Sequence, residues 1–333
     1  MNKKWIIYIV LIVVAFVLIV VFSKNIYFWL SNQLWKILLL AAVFGGGWLL
    51  GRFGGKKNRT QQKATAINRF DVLKRTIRLH ISPCPNDTFM FDALVNGRID
   101  CGELTFEVAY YDIEELNCRA EAGEADVSKI SYALLPEIQS RYTLLDSGSA
   151  LGRGNGPVFV ARQGTPPDSI RRVAVPGMHT TANALMSRLY PSITQKEPVL
   201  FSEIAPAVAR GEYDAGVLIH EGRFVYRKLG LELVADLGEL WESRTGLPLP
   251  LGAIVARRTL PEELRCEIER LLHTSIEYAF AHREESRIYI KEHARELDDR
   301  VIDHHIDFFV NSYSLSLGDE GRRAVRELTG VEV

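Results

Sequence analysis

The sequence predicts an α/β protein folded as two lobes and preceded by a transmembrane helical hairpin. Three observations predict it. From Lys74 onward, short β-rich runs alternate with helical patterns. Two Pro/Gly-rich passages, near Arg162 to Arg171 and Thr245 to Gly252, interrupt that alternation and read as crossings between lobes. The first fifty residues carry two long apolar runs unlike anything that follows.

Trp5 to Phe22 is eighteen consecutive apolar residues, about 27 Å as a helix, enough to cross most of a hydrocarbon core. A second apolar run, Leu34 to Leu50, is interrupted by Lys36 and by Gly45, Gly46 and Gly47. Glycines are tolerated in membrane helices and permit close helix approach. The expectation is a hairpin over 1–53 with spans 5–22 and 34–50. A signal peptide competes with this reading because Lys3 and Lys4 precede the first run. Val20 to Lys24 offers no small-x-small cleavage pattern, however, and a second apolar run follows. Basic residues flank both outer ends (Lys3 and Lys4; Arg52, Lys56, Lys57 and Arg59) while the intervening loop has only Lys24, which places both ends in the cytoplasm. Residues 54–73, polar and without apolar periodicity, read as a flexible linker.

In the folded region, Thr76 to Ile81 reads as a strand and Asp87 to Asn96 as a helix stopped by Gly97. Leu104 to Ala109 and Asp126 to Ile130 are further strands, with a charged helix from Ile113 to Ala122 between them. Tyr132 to Gln139 is a helix that Pro136 kinks or restarts. Strands at Tyr142 to Leu145 and Pro157 to Ala161 flank a glycine-rich loop, SGSALGRGNG. A second series follows: strand Val173 to Val175, helix Thr181 to Leu189, strand Val199 to Phe201, and a helix with Pro206 in its first turn and Gly211 past its end. Gly216 to Ile219, short, continuous and partly β-branched, reads as a buried strand. Strand Leu233 to Asp236 comes next, then GLPLPLGAIVAR running into another strand. The remainder is helical: Pro261 to His282, Glu284 to Glu296, Val301 to Tyr313 and Asp319 to Leu328. The lobes are therefore expected at 74–165 plus 250–333 and at 166–249, with a cleft between them.

Forty basic and 41 acidic residues give a formal charge of −1, without the basic excess that nucleic-acid binding normally shows. Cys84, Cys101, Cys118 and Cys266 form no CxxC pair, and no HExxH or comparable cluster exists, so no metal is expected. SGSALGRGNGP is neither a P-loop nor a GxGxxG turn, which argues against a nucleotide cofactor.

Four strand ends carry polar clusters: Ser82, Asn86, Asp87 and Thr88; Ser131; Thr180 and Thr181; and His220. One such end is ordinary helix capping. Four ends facing one cleft describe a binding site, and helix N-termini there favour an anion such as a carboxylate. Lys129 and Ser131, two apart on a strand, share a face and reach the same ligand. His220 lies at a strand's carboxyl end, where open α/β sheets bind ligands, and imidazole suits proton transfer near neutrality. The alternative for His220 is a buried ring bonded to a neighbouring carbonyl. His179 is the other histidine near the cleft; His304 and His305 lie in a helical pattern and read as surface or outer-shell residues. Cys84 lacks an evident base, which argues against a nucleophilic role.

Taken together, SPCPNDTFMFDALVNGRI, VSKISYA, SGSALGRGNGP, AVPGMHTTAN, DAGVLIHEGRF and SRTGLPLPLGAI resemble the 1,4-dihydroxy-6-naphthoate synthase family, the cyclic dehypoxanthinyl futalosine lyases of the futalosine route to menaquinone. The resemblance covers about residues 76 to 330. It implies a two-lobed, periplasmic-binding-protein-like (type 2) fold and a cofactor-independent carbon–carbon lyase acting on a carboxylated small molecule. It places the proton-accepting histidine on His220 and substrate contacts on Lys129, Ile130 and Ser131 and on Thr181 and Ala182; Ser82 and Asn86 join them from the strand-end argument. Chorismate dehydratase, which shares fold and pathway but is expected to lack the IHEGRF strand end, is one rival; a membrane-tethered solute receptor is the other. The first seventy residues are similar instead to inner-membrane proteins of the lipopolysaccharide-assembly A type. The expected location is the inner membrane with the catalytic region in the cytoplasm, or the cytoplasm alone if the hairpin is a start-site artefact; oligomeric state is left open.

Overall fold

Two sheets, each covered by helices on both faces, account for the strands. The computed structural model describes residues 75–220, 222–294 and 298–333, and Val72–Val333 forms one compact unit. The hairpin spans 5–22 and 34–50 and the linker 54–73 lie outside the described residues. Among the described residues, no helix is long and apolar enough to cross a membrane.

The first sheet contains β1 (Arg75–Ile81), β2 (Leu104–Tyr110), β3 (Val127–Ser131), β4 (Tyr142–Leu144), β5 (Ala150–Gly152) and β11 (Leu249–Arg257), in the order β2-β1-β3-β11-β4 with β5 also on β11. β1 runs parallel to β2 and β3, and β11 returns antiparallel to β3. The second sheet contains β6 (Val158–Arg162), β7 (Arg172–Val175), β8 (Gln195–Pro198), β9 (Ala215–Leu218) and β10 (Leu231–Asp236), in the order β10-β6-β9-β7-β8. Alternation along β3 divides its residues between two cores. Val127 joins the cluster under the helices Pro85–Val95 and Glu262–Ala281, and Ile130 joins the opposite cluster with Tyr132, Ala253 and Val255.

Several boundaries differ from the sequence reading. Val158–Arg162, expected in the first lobe (74–165), pairs with β9 and β10 of the second sheet, so the chain crosses at Arg153 to Pro157 and not near Arg162 to Arg171. The glycine-rich loop holds β5, paired with β11. The strand expected at Val199 to Phe201 lies instead at Gln195–Pro198; it is an edge strand whose polar, mostly exposed residues carry no apolar signal. Phe201 opens the next helix, so Pro206 falls inside Phe201–Ala209 and not in its first turn. The stretch Val301 to Tyr313 is two helices, Asp299–Phe309 and Ser312–Leu315, because Asn311 starts the second with a capping box.

Candidate active site

The carboxyl ends of β1, β3, β7 and β9 open onto one cleft. Ser82, Asn86, Lys129, Ser131, Thr181, Ala182 and His220 all line it. Ile130 does not: its side chain is fully buried in the opposite core, as strand alternation between Lys129 and Ser131 requires.

On the first-lobe wall, Asp87 is the centre of a buried network. It lies in the first turn of the helix Pro85–Val95, where a carboxylate is favoured by the helix dipole. Its Oδ1 accepts from Lys129 Nζ (2.9 Å) and Asn86 Nδ2 (2.8 Å). Its Oδ2 accepts from the Ser82 hydroxyl (2.7 Å) and the Ser82 amide (3.1 Å). The sequence reading takes this cluster as caps, but the N-cap position is Cys84, with no side-chain cap bond. Gly252 of β11 permits the arrangement, since a Cβ there would come within 2.8 Å of Lys129 Cε. Ser131 is held separately: Asn117 Nδ2 donates to its hydroxyl (3.0 Å) and its amide donates to Asn117 Oδ1 (2.8 Å).

The second-lobe wall is built from a helix end and a strained turn. Thr180 caps the helix Thr181–Leu189, its hydroxyl accepting from the Asn183 amide and donating to the Gly177 carbonyl. Thr181 Oγ1 reaches the first lobe, donating to the Leu251 carbonyl (2.9 Å) and accepting from the Ala133 amide (3.3 Å). His220 follows β9 by two residues and adopts φ 51°, the one non-glycine residue with positive φ among the described residues. That left-handed conformation costs about 1–2 kcal/mol, which the surrounding packing must offset. Its ring stacks on His305 with centroids 5.8 Å apart and meets Phe201 and Phe309 edge-on at 5.0 and 6.3 Å. Its Nε2 lies 3.9 Å from Cys84 Sγ, so Cys84, without a base beside it in sequence, has one in space.

Two contributors were not expected among the cleft residues from the sequence. His305, expected at the surface or in an outer shell, is 2% exposed and its Nε2 bonds Asn86 Oδ1 at 3.0 Å. Because Asn86 Nδ2 donates to Asp87, its oxygen accepts here, which assigns the proton to His305 Nε2. Burial, then the neighbouring His220 and His304, hold His305 well below the ordinary imidazole range, so it is neutral near pH 7. Arg223 also lines the cleft. Its guanidinium donates to the Gly156 carbonyl and to Asp236 Oδ2 (3.1 Å), and burial lowers its pKa against the opposing pull of Asp236. A third grouping was equally hidden: Glu114, Cys118 and His179 come together just outside the cleft. The sequence signal was partial, since the first two are four apart on one helix but His179 is remote.

This geometry defines a class of protein: two α/β lobes closing on a cleft lined by strand ends and helix N-termini, the arrangement of periplasmic-binding-protein-like folds. A solved Candida albicans protein described as having the generic periplasmic binding protein fold superposes with a TM-score of 0.60 over 76% of this chain and 89% of its own; at 11% identity that likeness concerns the fold alone. A solved Archaeoglobus fulgidus protein, 35% identical, superposes with a TM-score of 0.70 over 76% of this chain and 95% of its own. Within that class, the chain belongs to the menaquinone biosynthesis family, whose model matches residues 77–331. A Thermus thermophilus relative named 1,4-dihydroxy-6-naphtoate synthase is 49% identical over 252 residues, 76% of this chain and 92% of the relative. A Streptomyces coelicolor relative of the same name is 44% identical over 259 residues, 76% of this chain and 91% of the relative.

Proposed function

We propose that this chain is a 1,4-dihydroxy-6-naphthoate synthase: a lyase that converts cyclic dehypoxanthinyl futalosine to 1,4-dihydroxy-6-naphthoate and releases dihydroxyacetone. The observation that carries the reading is the placement of His220, Lys129, Ser131 and Thr181 in one cleft of a chain so close to two relatives of that name. The neutral imidazole of His220 removes a hydroxyl proton from the sugar remnant. The alkoxide pair becomes a carbonyl as the carbon–carbon bond breaks, the pair of that bond passes to the carbonyl of the naphthalenone ring as an enolate that takes a proton back from the imidazolium, and aromatisation of the ring supplies driving force. The N-terminus of the helix Thr181–Leu189, with Arg223 nearby, supplies positive potential for the ring carboxylate. No cofactor enters this scheme. Incubation of purified protein with cyclic dehypoxanthinyl futalosine is the test. Stoichiometric naphthoate and dihydroxyacetone are expected, whereas dehydration of chorismate, or binding without turnover, would support one of the rivals.

The same reading keeps residues 5–22 and 34–50 as a hairpin that holds the enzyme at the inner membrane with its folded region in the cytoplasm. Reporters fused before Met1 and after Lys63 are both expected to report cytoplasm. A periplasmic signal from the second would overturn this topology.

A further inference from the structure

We propose that Glu114, Cys118 and His179 form a site for a borderline divalent cation of the zinc type at the mouth of the cleft, with water completing its shell, and that the ion ties the two lobes together. Glu114, Cys118 and Glu121 stand at i, i+4 and i+7 on the helix Ile113–Ala122 of the first lobe, a spacing that puts all three on one face. His179 comes from the second lobe, on the loop leading into Thr181–Leu189. One ligand atom each from Glu114, Cys118 and His179 lies within 4.8 Å of the other two. Thiolate, imidazole and carboxylate are the donor set that zinc takes, at about 2.3 Å from sulfur and about 2.0–2.2 Å from nitrogen and oxygen. Glu114 Oε1 and His179 Nδ1 stand 2.9 Å apart, a separation one ion can bridge at those lengths.

The donors are already oriented. His179 Nε2 faces Glu121 Oε2 at 3.8 Å, so with the ion on Nδ1 the second ring nitrogen has a carboxylate beside it, as in the carboxylate–histidine arrangement that steadies metal-bound imidazoles. The Glu114 carboxylate is fixed in turn by the amides of Met178 (2.7 Å) and His179 (3.2 Å). Gly177, at φ 150°, makes room for it, since a Cβ there would collide with the carboxylate. Ile113 and Thr180, the chain neighbours of Glu114 and His179, line the cleft, so an ion here opposes the separation of the lobes that ligand exchange requires.

The test titrates the full chain, freed of metal by chelation, with Zn²⁺ and with Co²⁺. The wild type is expected to take one equivalent of Zn²⁺ and to show a thiolate-to-cobalt charge-transfer band. Cys118→Ala, an exposed position outside the cleft, should bind at least tenfold more weakly and lose the band. Absence of saturable uptake, unchanged affinity in Cys118→Ala, or a band that survives the substitution would overturn the site. Zn²⁺ should also slow turnover of the wild type but not of Cys118→Ala, whose rate without metal stays at the wild-type level; a zinc-loaded wild type that turns over normally would overturn the clamp. The two binding measurements need no substrate, so they decide the site even if the proposed lyase activity fails.

Discussion

The two walls of the cleft are built on different principles. The first-lobe wall is a closed network, with Lys129, Ser82 and Asn86 all donating to Asp87, a carboxylate with no exposed surface. Its main cation is neutralised internally, so the wall has little freedom to move and serves as a fixed platform. The second-lobe wall has a strained turn carrying His220 among aromatic rings, a helix N-terminus capped by Thr180, and Arg223. On the function proposed above, the contrast divides positioning and proton transfer between opposite lobes, and the chemistry then requires the lobes to be closed. His305 joins them: it bonds Asn86 of the platform and stacks on His220.

Breaking the platform should have the largest effect. Asp87→Ala leaves Lys129 buried without its counter-charge, and loss of one partner from such a pair costs about 3–5 kcal/mol. Urea unfolding measures it; a loss below about 1 kcal/mol would mean that the wall is not organised around Asp87. The joint between the walls comes next. His305 is held below the ordinary imidazole pKa, so below about pH 6.5 the unfolded chain binds a proton that the folded chain refuses. Stability therefore falls as pH falls, by up to about 1.4 kcal/mol per pH unit from this residue, and the fall ends only at the depressed folded value. His305→Gln should flatten the slope of stability against pH by as much as one proton, and parallel slopes in the two proteins would contradict the buried neutral ring. Thr181→Val is the smallest change, removing the hydroxyl that bridges Leu251 and Ala133 across the lobes. It should lower stability by about 1 kcal/mol in the same urea experiment, and no loss would indicate that this bridge is absent in solution.

What the sequence made legible followed from local rules. Lys129 and Ser131 share a strand face by alternation, Thr180 and Thr181 carry a helix-start pattern, and His220 ends an apolar run; each lines or borders the cleft as those rules imply. Ile130 shows the same rule excluding a residue, since the position between two cleft-facing side chains must point into the core. What was hidden depends on distant contacts. Asn86 and His305 are 219 positions apart, and nothing near His305 in sequence signals a buried site. The Asp87 cluster read as capping because a capping side chain and a buried counter-ion are the same residue type at the same helix position. β6 was placed in the wrong lobe because strand pairing across a crossing has no local signature, and β8 was missed because an edge strand needs no apolar face.

The central claim is that His220 is the proton acceptor, and a pH–rate comparison tests it most directly. In the wild type, the substrate-dependent rate should rise with pH through an ionisation in the imidazole range. His220→Asn should keep substrate binding while turnover falls by about 10²-fold or more, and the acidic limb should vanish. Cys84→Ala and His179→Asn should both retain that limb. If His220→Asn keeps most of the wild-type turnover, or if the limb disappears with Cys84 or His179 instead, the proton acceptor is another residue and the division of labour between the two walls is wrong.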